Sequence, residues 1–267
     1  MNSVGRILKE QSSNFHLILR LSLYDAKSKY QMHYLGAVWQ FLGPAIQILL
    51  YWLVFGLGIR GGAPVHGIPF FVWLIAGLIP WFFISPSITQ GSNSVYARVS
   101  LVSKMKFPVS VLPTVTIVSN SFQFIIMMLV MGVIFVIYGI NPGWYLLQLP
   151  YYLVALFVFL FALTLLTSTI STLIRDFQQV LQSLMRMVLY LLPILWDTSK
   201  LSHVYETILK LNPLFYIVQG FRYSLLGYGW FYEDWIYTLY FWVITLLILT
   251  VGSILHLKFR NKFIDYL

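Results

Sequence analysis

The chain has 267 residues, of which 59% are hydrophobic and only 9% charged, with a mean hydropathy of +0.80. A soluble domain carries about 25% charged residues; the shortfall leaves too few to coat a water-facing surface and excludes a water-soluble enzyme, a disordered chain and a nucleic-acid-binding module. The net charge of +9 does not revive the last of these, because the basic residues flank apolar stretches and form no run or stripe.

The N-terminus shows no long apolar core followed by a small-residue cleavage site, so no removable signal peptide is expected. Within 1–34, Val4, Ile7 and Leu8, then Phe15, Ile18 and Leu19, share one helical face, while Arg6, Lys9, Glu10, Ser12 and Ser13 lie elsewhere on the wheel. This pattern predicts an amphipathic helix in the cytoplasmic membrane interface.

About 20 apolar residues are needed to cross the hydrocarbon core. Six stretches qualify as candidates: 35–59, 68–89, 111–138, 146–173, 180–196 and 235–256. The fifth is the weakest, since it carries Arg186 and ends early at Leu192-Pro193. With six spans, twelve of the seventeen Lys and Arg residues fall on the side of the termini, which places both ends in the cytoplasm of a plasma-membrane protein. The expected fold is thus an all-α membrane protein, one domain over 1–267: an interfacial segment 1–34, a six-span bundle 35–257 and a cytoplasmic tail 258–267.

The loop 91–109 has its own pattern. Ser92, Asn93 and Ser94 offer capping oxygens, Val95, Val99 and Val102 recur at helical spacing, and Lys104-Met105-Lys106-Phe107-Pro108 ends the segment. Such a helix either docks an apolar ridge into a cytoplasmic motor or lies flat as a basic juxtamembrane segment on anionic lipid. Between the fifth and sixth spans, the run Pro213-Leu214-Phe215-Tyr216-Ile217-Val218, continuing to Leu225-Leu226, is too short to cross. It predicts a re-entrant piece on the outer face, with a surface helix capping the bundle as the alternative.

No Asp or Glu lies at mid-depth in a span, as a proton- or sodium-coupled transporter would need. There is no G-x-x-x-x-G-K-[ST] loop, no H-E-x-x-H and no G-x-S-x-G, and Cys is absent, so no catalytic residue, cofactor site or metal site is expected in this chain. His66, alone in the first outer loop, reads as solvent-exposed and idle. Any ATP-driven work must draw on another subunit. Aromatic residues make up 18% of the chain; many mark span ends as an interfacial belt. Trp39, Trp52, Trp73, Trp81, Phe82, Tyr190 and Trp196 are the candidates for lining a path, with packing as the competing role. Arg20, Lys27 and Lys29 are candidates for steering an anionic head group. Arg186 serves either cargo or structure, the latter by pairing with Asp176 or backbone carbonyls.

The stretches Tyr34-Leu35-Gly36-Ala37-Val38-Trp39, Gly43-Pro44 and Tyr51-Trp52-Leu53-Val54-Phe55-Gly56-Leu57-Gly58-Ile59-Arg60 resemble the permease subunits of ABC-2-type polymer exporters. So do Val102 to Pro108, Leu165-Leu166-Thr167-Ser168-Thr169 with Arg175-Asp176, Pro193-Ile194-Leu195-Trp196, Asn212-Pro213 and Arg222. The Tyr51 to Arg60 run is most similar to the wall teichoic acid branch. The resemblance implies a homodimer with two copies of a separate ATPase that holds ATP and Mg, in the plasma membrane of a Gram-positive bacterium. It implies that Val95, Arg98, Val99, Val102, Lys104, Lys106, Phe107, Arg175 and Asp176 touch that ATPase. The implied cargo is undecaprenyl-diphosphate-linked teichoic acid, with an O-antigen or capsular polysaccharide as the alternative; membrane lipids are the other partners, and nucleic acid is not one.

Overall fold

A computed structural model describes residues 2–28, 36–98, 108–200, 202–260 and 263. Among these, ten α-helices form: α1 (Ser3–Ser13), α2 (Phe15–Ser28), α3 (Trp39–Tyr51), α4 (Phe70–Ser92), α5 (Val111–Ile137), α6 (Leu149–Leu173), α7 (Asp176–Leu191), α8 (His203–Lys210), α9 (Pro213–Leu226) and α10 (Trp235–Phe259). Five helical stretches are long and apolar enough to cross a membrane: Trp39–Ile59, Phe70–Ser92, Val111–Ile137, Gly143–Leu173 and Trp235–Phe259.

Helix α4 is the axis of the bundle. It is apolar on every side, as a helix enclosed by neighbours must be, and 78% of its most apolar window is buried. Phe83 stacks on Phe124 of α5 with centroids 4.7 Å apart, and α6 and α9 cover other faces. Helix α3 is the opposite case. Only 6% of its window is buried, and it runs on as a π-helical segment over Trp52–Ile59. Gly56 lets that segment approach α4, since a Cβ there would sit 2.9 Å from the Phe70 ring.

The N-terminal segment differs from a single interfacial helix. It breaks at Asn14, whose amide donates to the Glu10 carbonyl at 2.8 Å, and both halves dock on the bundle. Ile7 is buried against Ala162, Leu165 and Leu249, and Ile18 against Val111 and Val115. The expected apolar face is thus split: Ile7 and Ile18 are covered by protein, while Leu8 and Phe15 stay exposed. The Arg260 guanidinium at the end of α10 donates to Glu10 at 2.7 Å, so α1 and the last turn of α10 share one end of the bundle, the near end.

The predicted fifth span becomes α7, of 16 residues. At 1.5 Å per residue it is about 24 Å long, short of the roughly 30 Å hydrocarbon core. It stops where the sequence says it must, because Leu192, preceding Pro193, is forced into an extended conformation (φ −72°, ψ 146°). Its first turn is bonded to the last turn of α4 through Gln178, and the turn that follows it is bridged by the Arg222 guanidinium to Trp73 near the start of α4, at the far end.

Helix α9 is framed by sequence signals. Asn212 caps Leu214 N–H at 3.0 Å, Pro213 opens the first turn, and Gly227 ends it at φ 75°. The helix is packed inside the far end against α4, α6 and α10, and does not lie on the bundle as a surface cap. Gly220 is what admits it: a Cβ there would overlap the Tyr152 ring of α6. Gly220→Ala is therefore expected to lower the melting temperature of the purified protein, by the ~1–3 kcal/mol of an overpacked core. Gly132→Ala, which meets open space, is expected to leave it unchanged or raised.

Candidate functional site

The near end gathers the polar groups. After α4 the chain turns at Asn93 and makes one tight 3-10 turn over Tyr96–Arg98. The Arg98 guanidinium bonds the Asp25 carboxylate of α2 and reaches Ser94 O at 3.4 Å and Thr116 Oγ1 at 3.5 Å. From α7, Gln178 Nε2 donates to Thr89 O at 2.7 Å and its Oε1 accepts from Ser92 Oγ at 2.5 Å. The Arg175 guanidinium lies 4.9 Å above the Tyr96 ring. The two predicted coupling segments, about 80 residues apart in the chain, therefore form one assembly. Between them opens a cavity of ≈530 Å³ walled by Asp25, Arg98, Thr116, Gln178 and Gln182.

The predicted coupling residues divide. Arg175 and Asp176 are exposed, and Asp176 sits in the first turn of α7, where the helix dipole favours an acid. Val95 is not part of an exposed ridge; it is fully buried against Leu112 and Phe263 and anchors its segment to the bundle. Val99, Val102, Lys104, Lys106 and Phe107 lie outside the described residues, as does Lys29 of the steering set. Arg20 and Lys27 are exposed on α2.

Glu10 closes the near end from α1. Burial pushes its carboxyl up, but the Ser110 hydroxyl at 2.7 Å and the Arg260 guanidinium outweigh that, and the net effect holds it below the ordinary 4.5. A depressed folded value means that the contact stabilises fully above the unfolded value and is lost as pH falls through the folded one.

The path candidates do not converge within one chain. Trp73 and Trp81 are buried in the core, and Phe82 and Trp52 pack against it, the latter edge-on to Phe71 at 6.2 Å. Trp39 and Tyr190 are exposed on α3 and α7; Trp196 donates to Tyr190 O at 2.9 Å, and the Tyr190 phenol lies near that of Tyr51 at the end of α3. On that α7 face Arg186 is exposed and reaches Ser183 Oγ at 3.1 Å, with no contact to Asp176 or a backbone carbonyl among its described bonds. Sequence reasoning passed over Asp25, and reached Tyr96 and Gln178 only as members of the segments 91–109 and 175–179. These polar side chains at helix ends belong to no motif, and only their convergence marks them. Among the described residues no three His, Asp or Glu side chains gather to hold a metal.

Residues 16–226 match the family model described as ABC-2 type transporter. Over 219 residues the chain is 29% identical to the O-antigen export system permease protein RfbA of Myxococcus xanthus, covering 81% of this chain and 83% of that protein. Two Klebsiella pneumoniae proteins of the same name are each 26% identical, over 92% and 95% of this chain and 93% and 95% of their own lengths.

Asp25→Arg and Arg98→Asp are each expected to speed amide exchange in α2 about tenfold, a loss between that of an exposed and a buried ion pair, and the double exchange to restore it. Glu10→Gln is expected to remove the loss of α1 protection that hydrogen exchange records in the parent protein on acidification below pH 4.5.

Proposed function

This chain belongs to the ABC-2 type transporter family, and on that premise we propose that it is the membrane subunit of an ATP-driven exporter of a lipid-linked cell-surface polysaccharide. The exposed face of α7 carries the reading. A cation directed at lipid is costly and a polar face beside it more so, whereas both suit the wall of a water-filled path. Arg186, Ser183 and Gln182 form such a face next to the open side of α3, and a second copy of the chain would close it.

The near end is the cytoplasmic end in this reading. Six crossings, by α3, α4, α5, α6, α7 with its following turn, and α10, bring both termini to that end; the Glu10–Arg260 contact and the placement of α7 between the two ends of α4 support the count. The outer-leaflet thickness missing from α7 is made up by the turn 192–196, and α9 is a re-entrant piece of the outer half. The assembly of Tyr96, Arg98, Arg175 and Gln178 is where a separate ATPase pushes: displacing it moves α4 and α7 together as a rigid pair.

The relatives are named for O-antigen export, which favours a glycan cargo. Wall teichoic acid is the second reading, favoured by the Tyr51 to Arg60 run. Purification of the tagged chain from its own cells is expected to bring down an ATP-hydrolysing subunit, and the chain alone is expected to hydrolyse no ATP. Arg186→Glu is expected to cut polymer export about tenfold, the scale of reversing one charge across a water-filled path, and Arg186→Lys to retain it. Depletion of the chain should leave lipid-linked polymer on the cytoplasmic leaflet. A polyol-phosphate polymer there would select teichoic acid, and no polymer at all would overturn the exporter reading.

A further inference from the structure

At the far end, Arg222 is 1% exposed and its charge has no ion pair among the described residues. Nη1 bonds Pro193 O, Nη2 bonds Ile194 O at 2.9 Å, and the guanidinium lies 3.5 Å over the Trp73 ring. Its Nε has no acceptor, and the buried Tyr228 hydroxyl has no partner either. Both residues line a cavity of ≈460 Å³ whose other walls are His66, Asp197, Gln219 and Tyr223. That volume lies within the ~300–1,000 Å³ range of small-molecule sites. Thr198, Gln219 and Tyr223 also wall a smaller cleft of ≈90 Å³ beside Lys210, Trp230 and Tyr237, where a second buried hydroxyl, that of Tyr237, is also unpartnered.

The chemistry of the walls is mixed in a specific way. Asp197 is an acceptor: burial pushes its carboxyl up, but the Ser199 hydroxyl and N–H, with the charges of His66 and Arg60, hold it below its ordinary value. Gln219 and the Tyr223 hydroxyl serve as both donor and acceptor, while Arg222 Nε and the Tyr228 hydroxyl lie sealed behind the wall. Tyr228 stands edge-to-face against His66 at 5.6 Å and Tyr223 at 6.5 Å, giving aromatic walls. His66 holds a left-handed backbone, φ 49°, that a residue with a Cβ rarely adopts, and its ring reaches Asp197 at 3.5 Å, so the loop is held over the cavity. The Asp197 carboxylate offsets the Arg222 charge on the same wall, which leaves no net pull on phosphate, and the polar lining rejects a purely apolar guest. Alternating donors and acceptors between aromatic faces suit a neutral ring bearing several hydroxyls.

We propose that this far-end cavity is a saccharide-binding site that takes one neutral pyranose ring, with the adjoining cleft receiving its neighbour along a chain. The sugar's source rests on the exporter reading, in which the ring belongs to the emerging glycan; the binding chemistry does not. The site lies outside the near-end assembly and is walled by Asp197, Arg222 and Tyr228, none of which the ATPase would touch.

The test is saturation-transfer NMR on the chain with its ATPase partner in lipid nanodiscs, titrated with methyl α-glucoside, methyl α-galactoside, methyl α-mannoside and N-acetylglucosamine. Inorganic phosphate is the anion probe. At least one pyranose is expected to saturate, with phosphate failing to displace it. Asp197→Ala and Gln219→Ala are each expected to weaken binding about fivefold, the loss of one hydrogen bond. Displacement by phosphate, a pyranose signal unchanged in both variants, or no pyranose binding at all would each overturn the site. Those results leave the exporter reading standing if the complex still couples ATP hydrolysis to export; sugar binding by a chain with no ATPase partner would sink the exporter reading and keep the site.

Discussion

A guanidinium held without a counter-ion inside an apolar bundle must place its N–H groups on fixed acceptors, and Arg222 finds them in the carbonyls of Pro193 and Ile194. Those carbonyls are free because Pro193 stops α7, and the guanidinium plane is stabilised by the Trp73 face of α4. Gly77 makes room for it, since a Cβ there would lie 2.7 Å from Nη2. One side chain of α9 thus fixes three elements at once: the end of α7, the start of α4 and α9 itself. The far-end architecture depends on that arrangement, including the position of Asp197 only a few residues beyond the bonded turn.

The near end is built on the same logic with weaker partners. Gln178 ties the first turn of α7 to the last turn of α4 by two hydrogen bonds, and Arg98 ties the following loop to α2. Helix α7 is therefore fastened to α4 at both ends, strongly at the far end and through exchangeable polar contacts at the near one. A helix so held moves with α4 or pivots about the Arg222 end. Either motion would shift the face that carries Arg186, which gives a physical link between contacts at the near end and that face.

The two termini stabilise each other across the whole chain length. Glu10 receives Ser110 and Arg260, so α1, the start of α5 and the end of α10 share one carboxylate. Ile7 and Ile18 fill sites on the bundle, which makes the N-terminal helices part of the fold as well as of its surface. Helix α3 is tied more lightly, by Gln123 Nε2 of α5 donating to Gln40 O at 2.9 Å, and its apolar flank, from Phe41 to Leu57, is exposed.

The sequence by itself determined what depends on composition and local pattern. Apolar stretches gave the all-helical membrane class, Leu192-Pro193 the early stop of α7, and Asn212-Pro213 and Gly227 the limits of α9. Cap signals and proline sterics act within a few residues, so they are legible without a fold. Tertiary structure decided which side of each helix faces protein. Apolar residues on the spans look alike whether they meet lipid or a neighbour, so Trp73 and Trp81 as core, Trp39 and Tyr190 as surface, and Val95 as an anchor became distinguishable only once the helices were packed. The same holds for Asp25 with Arg98 and for Arg222 with Pro193: these pairings join residues that local pattern cannot link, and hydrogen bonds between distant segments leave no period in a sequence.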